Sequence, residues 1–201
     1  MGTIVSLSGC RAVGKTTLIN NLQTRYPQLY IREGFRKTDT GFRMCVKEEY
    51  YMNERWYIQR EIEEYQTLKK MDSNVLLLRG AEDLAFFAVH YPRIHGYSWN
   101  VEEDLHDELQ ALKKCQSDGI LYLDADVQTI LRRKESDKTK DRTTMEDWLL
   151  NWQPYLDAYI KSFPYTTVLK TDNMSETDVF TWTIEWLEEF WRRREIDAHC
   201  N

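Results

Sequence analysis

Residues 8–17 read Ser8-Gly9-Cys10-Arg11-Ala12-Val13-Gly14-Lys15-Thr16-Thr17, and this stretch decides the fold. Its spacing is Gly-x-x-x-x-Gly-Lys-Ser/Thr, the pattern of a loop that cradles phosphate. Glycine at 9 and 14 lets the backbone wrap an anion with its N–H groups. A helix starting at the loop's end aims its positive dipole at the same point. The flanks agree: Thr3–Ser8 reads as a strand entering the loop, and Leu18, Ile19 and Leu22 leave it at helical spacing. The stretch from Gly9 to Thr17, with main-chain donors at Cys10, Arg11, Ala12 and Val13, is expected to hold a nucleoside triphosphate. Lys15 is placed to reach the β- and γ-phosphates, and the Thr16 hydroxyl to ligate Mg²⁺.

Outward from the loop, short apolar runs alternate with longer helical patterns, which predicts an α/β fold with a parallel sheet. Strands are expected at Thr3–Ser8, Leu29–Glu33, Asn74–Arg79, Gly119–Asp124 and Thr166–Lys170. Helices are expected over residues 14–25, 43–72, 81–90, 101–117, 126–135, 144–162 and 175–194. Asn100 with Glu103, and Ser175 with Asp178, carry helix-start spacing. The polar stretch 134–143 reads as a surface loop. The last helix carries Trp182, Trp186, Leu187, Phe190 and Trp191 on one face, a pattern for core or subunit packing, a homodimer included.

With 201 residues, 42% hydrophobic and 30% charged, the chain is expected to form one domain spanning residues 1–201. The net charge of -6 argues against a nucleic-acid polymer as partner, since duplex binding needs a basic surface. Cys10, Cys45, Cys115 and Cys200 are scattered without a C-x-x-C pair, as in reduced cytoplasmic proteins. No apolar run approaches the roughly 18 residues of a membrane span, so no membrane partner is expected. His90 and His95 lack a second ligand pair and are not expected to bind metal.

Neither an Asn-Lys-x-Asp nor an Asp-x-x-Gly motif occurs, which sets small GTPases aside and leaves the small-molecule kinases. Four short places resemble the thymidylate kinase and deoxynucleoside kinase branch of the P-loop kinases. They are the loop itself, Ile31-Arg32-Glu33-Gly34, Leu78-Arg79-Gly80, and Tyr122-Leu123-Asp124-Ala125-Asp126 with the basic run after it. That run comprises Arg132, Arg133, Lys138, Lys140 and Arg142. The resemblance implies a three-layer α/β/α fold, a five-stranded parallel sheet of order 2-3-1-4-5, and a basic lid over about residues 132–144. It also implies a MgATP-dependent phosphotransferase whose small-molecule acceptor is a nucleoside or nucleoside monophosphate. Rival readings are a kinase of another hydroxyl, such as an antibiotic or sugar, and a nucleotide-binding regulator that has lost turnover.

By the same resemblance, Glu33 orients or deprotonates the acceptor, while Arg79, Arg132 and Arg142 neutralise transferring charge. Arg79 also stands out on its own terms, because the buried run Val75–Leu78 is a rigid mount for an arginine aimed at an anion. The related kinases place an acid just before that arginine, where this chain has Leu78. Glu82, Asp83 and Asp124 are the replacements left open, as is having none. The aromatic-rich helix over Tyr50–Gln66 is expected to line the acceptor pocket, with Asn53, Tyr57, Gln59 and Arg60 as candidate base-readers.

Overall fold

The computed structural model describes residues 2–32, 40–137 and 144–199. Glu33, Lys138, Lys140 and Arg142 lie outside the described residues. The five strands are β1 (Ile4–Gly9), β2 (Tyr30–Arg32), β3 (Val75–Leu78), β4 (Gly119–Asp124) and β5 (Thr166–Lys170). They form one parallel sheet in the order β2-β3-β1-β4-β5, as expected. Helix α1 (Lys15–Arg25) follows the glycine loop, and α2 (Lys47–Leu68) connects β2 to β3. Between β3 and β4 come α3 (Ala81–Ile94), α4 (Val101–Asp104) and α5 (His106–Lys113). Between β4 and β5 come α6 (Val127–Ser136), α7 (Met145–Asn151) and α8 (Gln153–Lys161), and α9 (Glu176–His199) closes the chain.

Side chains alternate faces along a strand, so β1 divides its residues between two layers. Val5 and Leu7 join Leu76 of β3 in a core shared with Leu18, Ile19 and Leu22 of α1 and Leu187 and Trp191 of α9. Ile4, Val75 and Leu77 pack instead with Leu68 of α2. Ser6 and Ser8 belong to that second face and are fully buried. At the end of β1, Gly9 has φ 136°, and a Cβ there would stand 2.3 Å from the Leu123 carbonyl oxygen. Only glycine lets β1 run this close to β4 and then turn into the loop.

The expected helices are present; α2 is four residues shorter at each end than 43–72, α9 runs five residues past 194, and three further differences stand out. The stretch 101–117 breaks at Leu105, which is fully buried among Leu109, Leu112 and Tyr50, so packing overrides helix continuity there. The stretch 144–162 breaks at Trp152, just ahead of Pro154, which has no N–H to continue the α7 ladder. Helix α3 runs past the expected end at 90 to Ile94 although Pro92 lies inside it. Of the two start signals, Ser175 and Asp178 make the reciprocal capping bonds. The Asn100 side chain donates to Glu103 rather than capping the backbone.

Pro92 cannot donate to the Ala88 carbonyl, which is left without its helical partner. The fully buried Tyr50 fills that gap: its hydroxyl donates to the Ala88 oxygen at 2.5 Å, and its ring stacks on Tyr91 at 5.2 Å. Helix α2 is thus fixed to α3 at the carbonyl that proline orphaned. Tyr50→Phe should cost about 1–3 kcal/mol of stability in the Pro92 background. In a Pro92→Ala background, where an N–H is restored, the same change should cost markedly less by urea unfolding. Equal costs in the two backgrounds would contradict this account.

Candidate active site

The glycine loop, the start of α3 and the inner face of α2 enclose one cleft of about 1660 Å³. Residues 11–17 form part of its wall. Ala12 at φ 63° and Gly14 at φ 111° bend the loop so that successive N–H groups can face inward, the arrangement of an anion nest. The Lys15 ammonium donates to the carbonyls of Gly9 and Cys10, at 2.8 and 2.7 Å. Cys10 itself is buried, and burial pushes its thiol up to about 11, so it packs as an inert apolar group. The Thr16 hydroxyl belongs to an exposed side chain on the same wall.

The loop is braced from α6 by Arg133, which donates to the carbonyls of Val13 and Thr171, at 3.1 and 2.6 Å. Arg133 lines the cleft, whereas the expected contact residue Arg132 is exposed and does not line it. Arg11 reaches Thr144 at 3.1 Å and lies 4.1 Å over the Trp148 ring.

Across the cleft, the chain leaves β3 through Arg79 in a left-handed conformation, φ 67°. Such a backbone costs roughly 1–3 kcal/mol in a non-glycine residue and persists only where its surroundings hold it. Here the Arg79 N–H donates to the Leu7 carbonyl at 3.0 Å, and the Arg79 carbonyl accepts from Arg32 at 2.9 Å. Arg32, 8% exposed, also binds Glu61 at 2.5 Å and Glu64 at 2.9 Å. Burial works against its charge, but those two carboxylates outweigh it and raise its pKa. The Arg79 guanidinium lies 4.9 Å over Phe87 and 5.8 Å over Trp148, with Nε 4.0 Å from the Asp83 carboxylate.

Of the acids considered as replacements for one at Leu78, only Asp83 lines the cleft. It is 1% exposed, and its Oδ1 accepts from the Ser8 hydroxyl at 2.8 Å, while Oδ2 has no hydrogen-bond partner among the described residues. Burial raises its pKa, against the pull of Arg79, Ser8 and Lys15. Glu82, one residue earlier, turns the other way and accepts from the Ser117 N–H at 2.8 Å, which anchors α3 to the approach of β4. The start of α3 is close enough for this because residue 80 is glycine: a Cβ there would meet Glu82 Oε2 at 2.8 Å. Asp124 is engaged by Lys161 at 3.0 Å and does not line the cleft.

Beyond Arg79 the cleft becomes aromatic, with Phe87, Tyr91, Trp148, Trp152 and Tyr57 in its wall. Trp148 and Trp152 stack at 5.5 Å with nearly parallel rings. Of the candidate base-readers, Asn53 and Tyr57 line this lobe, while Gln59 and Arg60 point to solvent, bound to Glu63 and resting on Trp56. His90 is packed on Phe86, with its Nε2 3.0 Å from the Asn151 carbonyl.

Sequence reasoning passed over Glu54, Trp148 and Trp152. Glu54 is 6% exposed, lines the lobe beside Asn53, and its carboxyl is pushed up to about 7 by burial. The one available signal was its place one residue after Asn53 on a helix already assigned to the pocket. The two tryptophans follow the polar stretch 134–143, and nothing in their spacing separated a cleft wall from ordinary core.

The fold and cleft define an α/β protein of the P-loop architecture, with the glycine loop facing an aromatic lobe. Its architecture is that of nucleoside and nucleotide kinases of known structure. A thymidylate kinase from Candida albicans superposes with a TM-score of 0.64 at 14% identity, over 94% of this chain and 92% of that one. A deoxyadenosine kinase from M. mycoides, solved with dCMP and dCDP, gives 0.67 at 14% identity, over 92% and 99%. The same kinase with bound dATP gives 0.65, also at 14% identity and over 92% and 99%. No protein-family model matches the sequence, and no curated protein matches it either. At such identity the likeness establishes the fold.

Glu54 has a measurable consequence for stability. Its folded pKa of about 7 stands above its ordinary 4.5, so the folded state holds the proton more tightly than the unfolded chain. Unfolding between those values releases a proton, and stability falls as pH rises through that window. Glu54→Gln should therefore be more stable than wild type at pH 8, by on the order of 3 kcal/mol, with the gap closing towards pH 4. Urea midpoints at the two pH values measure this.

Proposed function

We propose that this chain is a MgATP-dependent phosphotransferase whose acceptor is a nucleoside or a nucleoside monophosphate. The observation that carries the reading is the convergence of Lys15, Arg79 and Asp83 on one cleft with an aromatic lobe beyond them. The residues fit a magnesium–triphosphate group. The loop offers the left-handed turn of an anion nest at Ala12 and Gly14 together with Lys15, Thr16 offers a hydroxyl, and Asp83 keeps a carboxylate oxygen without a hydrogen-bond partner among the described residues. When bound, Mg²⁺ neutralises and orients the phosphate oxygens.

Each residue then has a task that its position supports. Lys15 exchanges the carbonyls of Gly9 and Cys10 for phosphate oxygens. Arg79, fixed at its backbone and flanked by rings, presents a guanidinium to the charge that develops between donor and acceptor. Asp83 takes the part of the carboxylate absent at Leu78, from the first turn of α3 rather than the end of β3. Arg133 keeps the loop in shape. Glu33, with Lys138, Lys140 and Arg142, keeps the roles implied by the resemblance, orienting the acceptor hydroxyl and closing a basic lid, whereas Arg132, exposed and outside the cleft wall, is left without one. The aromatic lobe supports a flat acceptor, and the structural relatives include one kinase solved both with dCMP and with dATP. The buried Asp83 oxygen that lacks a hydrogen-bond partner among the described residues favours turnover over a purely regulatory role.

Incubation with γ-labelled ATP and a panel of deoxynucleosides, their monophosphates, sugars and aminoglycosides tests the reading. Label is expected on a nucleoside or nucleotide and to require Mg²⁺. Label only on a sugar or aminoglycoside, or on nothing despite ATP binding, would overturn it. Lys15→Ala should lower turnover by at least about 100-fold. Asp83→Asn should cut turnover similarly and raise the Mg²⁺ concentration needed, yet leave the melting temperature equal or higher, because it removes a buried charge.

A further inference from the structure

Trp148 stands in the wall of the cleft, 3% exposed, and two guanidiniums from the same wall rest on its ring. Arg11 of the glycine loop lies 4.1 Å over it, and Arg79 at the exit of β3 lies 5.8 Å from it. The group that orients this ring is behind the wall. The Trp148 Nε1–H donates to Gln153 Oε1 at 3.0 Å, and Gln153 is buried and does not line the cleft. Resting on the phosphotransferase reading above, we infer that Gln153 is a positioning residue for phosphoryl transfer, acting through Trp148 on the guanidiniums of Arg11 and Arg79.

The Gln153 amide has one orientation that satisfies its neighbours. Its Nε2 donates to the Tyr122 hydroxyl at 2.9 Å and to the Asp157 carboxylate, and the Tyr122 hydroxyl donates to that same carboxylate. Turned over, the amide would set its oxygen against Asp157 and its amino group against the indole N–H, two contacts between like partners. The anchor is rigid, because Tyr122 is fully buried in β4 and β4 pairs with β1. The indole N–H also lies within reach of the Cys10 sulfur, but a sulfur is a weak acceptor, so the amide oxygen sets the ring's angle. Trp152, parallel at 5.5 Å, and Phe87, at 5.8 Å, pack against the same ring.

A guanidinium over an indole is attracted by the negative face of the ring, and its placement follows the ring's tilt. Arg11 also holds Thr144 at 3.1 Å, and Arg79 lies 4.9 Å over Phe87, so neither would leave the cleft if Trp148 turned. Both would shift. The glycine loop and Lys15 would still grip a triphosphate, and several other rings would still flank a flat acceptor. The loss therefore falls on charge that develops during transfer, where small displacements of a cation count most, and much less on binding of either substrate.

Steady-state kinetics of the full chain with MgATP test the inference, taking as acceptor the best of the four deoxynucleosides and their monophosphates. Gln153→Met keeps the volume and the Tyr122–Asp157 bond but removes the amide oxygen. It is expected to lower kcat by about tenfold or more, with KM for MgATP and for the acceptor each changed by less than about threefold. In a Trp148→Phe background there is no indole N–H to orient, and the same change should alter kcat by less than about twofold. A loss confined to the acceptor KM would make Trp148 a plain wall of the lobe and would overturn the inference. So would an undiminished effect of Gln153→Met in the Trp148→Phe background. Should Gln153→Met fail to fold, Trp148→Phe alone decides: a loss in kcat with both KM values kept is expected, and an unchanged kcat would overturn the inference. Wild type that binds a non-hydrolysable ATP analogue yet transfers phosphate to no acceptor would instead overturn the phosphotransferase reading, and the inference with it.

Discussion

Arg79 stands where the chain leaves β3, and its backbone is held from both sides. The N–H is tied to Leu7 of β1 and the carbonyl to Arg32 of β2. Because a left-handed arginine is strained, these two bonds decide whether the turn exists at all. The turn in turn sets where α3 begins, and α3 carries Asp83 back under the glycine loop and Glu82 away to Ser117. One constrained residue thus orders three strands, starts a helix and orients two acids in opposite directions.

That arrangement answers how a cleft of this type can dispense with an acid at the end of β3. Leu78 is half-buried at the end of an apolar strand, packed against the core on one side and lining the cleft on the other, so that position presents an apolar side chain to the cleft. The first turn of α3 offers a better place, since the helix dipole and the Ser8 hydroxyl both favour a carboxylate. Asp83 still lies in a costly position, 1% exposed with one oxygen lacking a hydrogen-bond partner among the described residues, and such a buried acid in a cleft is a candidate functional group.

Much of this could be read from the sequence. The loop Gly9–Thr16 and the runs Val75–Leu78 and Gly119–Leu123 carry strong local signals, and the sheet order followed from the resemblance they supported. The choice among Glu82, Asp83 and Asp124 could not be read, because it depends on the rotation of α3 about Gly80, which no local pattern encodes. Glu54 was illegible for a similar reason. Its environment is made by Tyr91 and Leu84, some thirty or more residues away, and on its own helix it looks like any solvated acid. Arg32 falls within the stretch Ile31–Gly34 that carries the resemblance, yet the structure gives it to Glu61 and Glu64 as a buttress.

The central claim is that the space between Lys15, Arg79 and Asp83 is where phosphate passes from donor to acceptor. A crystal structure with a bisubstrate analogue, adenosine joined to a deoxynucleoside through a polyphosphate bridge, tests it most directly. The account predicts the bridge on the glycine loop with the Arg79 guanidinium on its central phosphates, Mg²⁺ on the Asp83 side, and the deoxynucleoside base in the aromatic lobe. A bridge bound away from Arg79, or a base lodged outside the lobe, would contradict it.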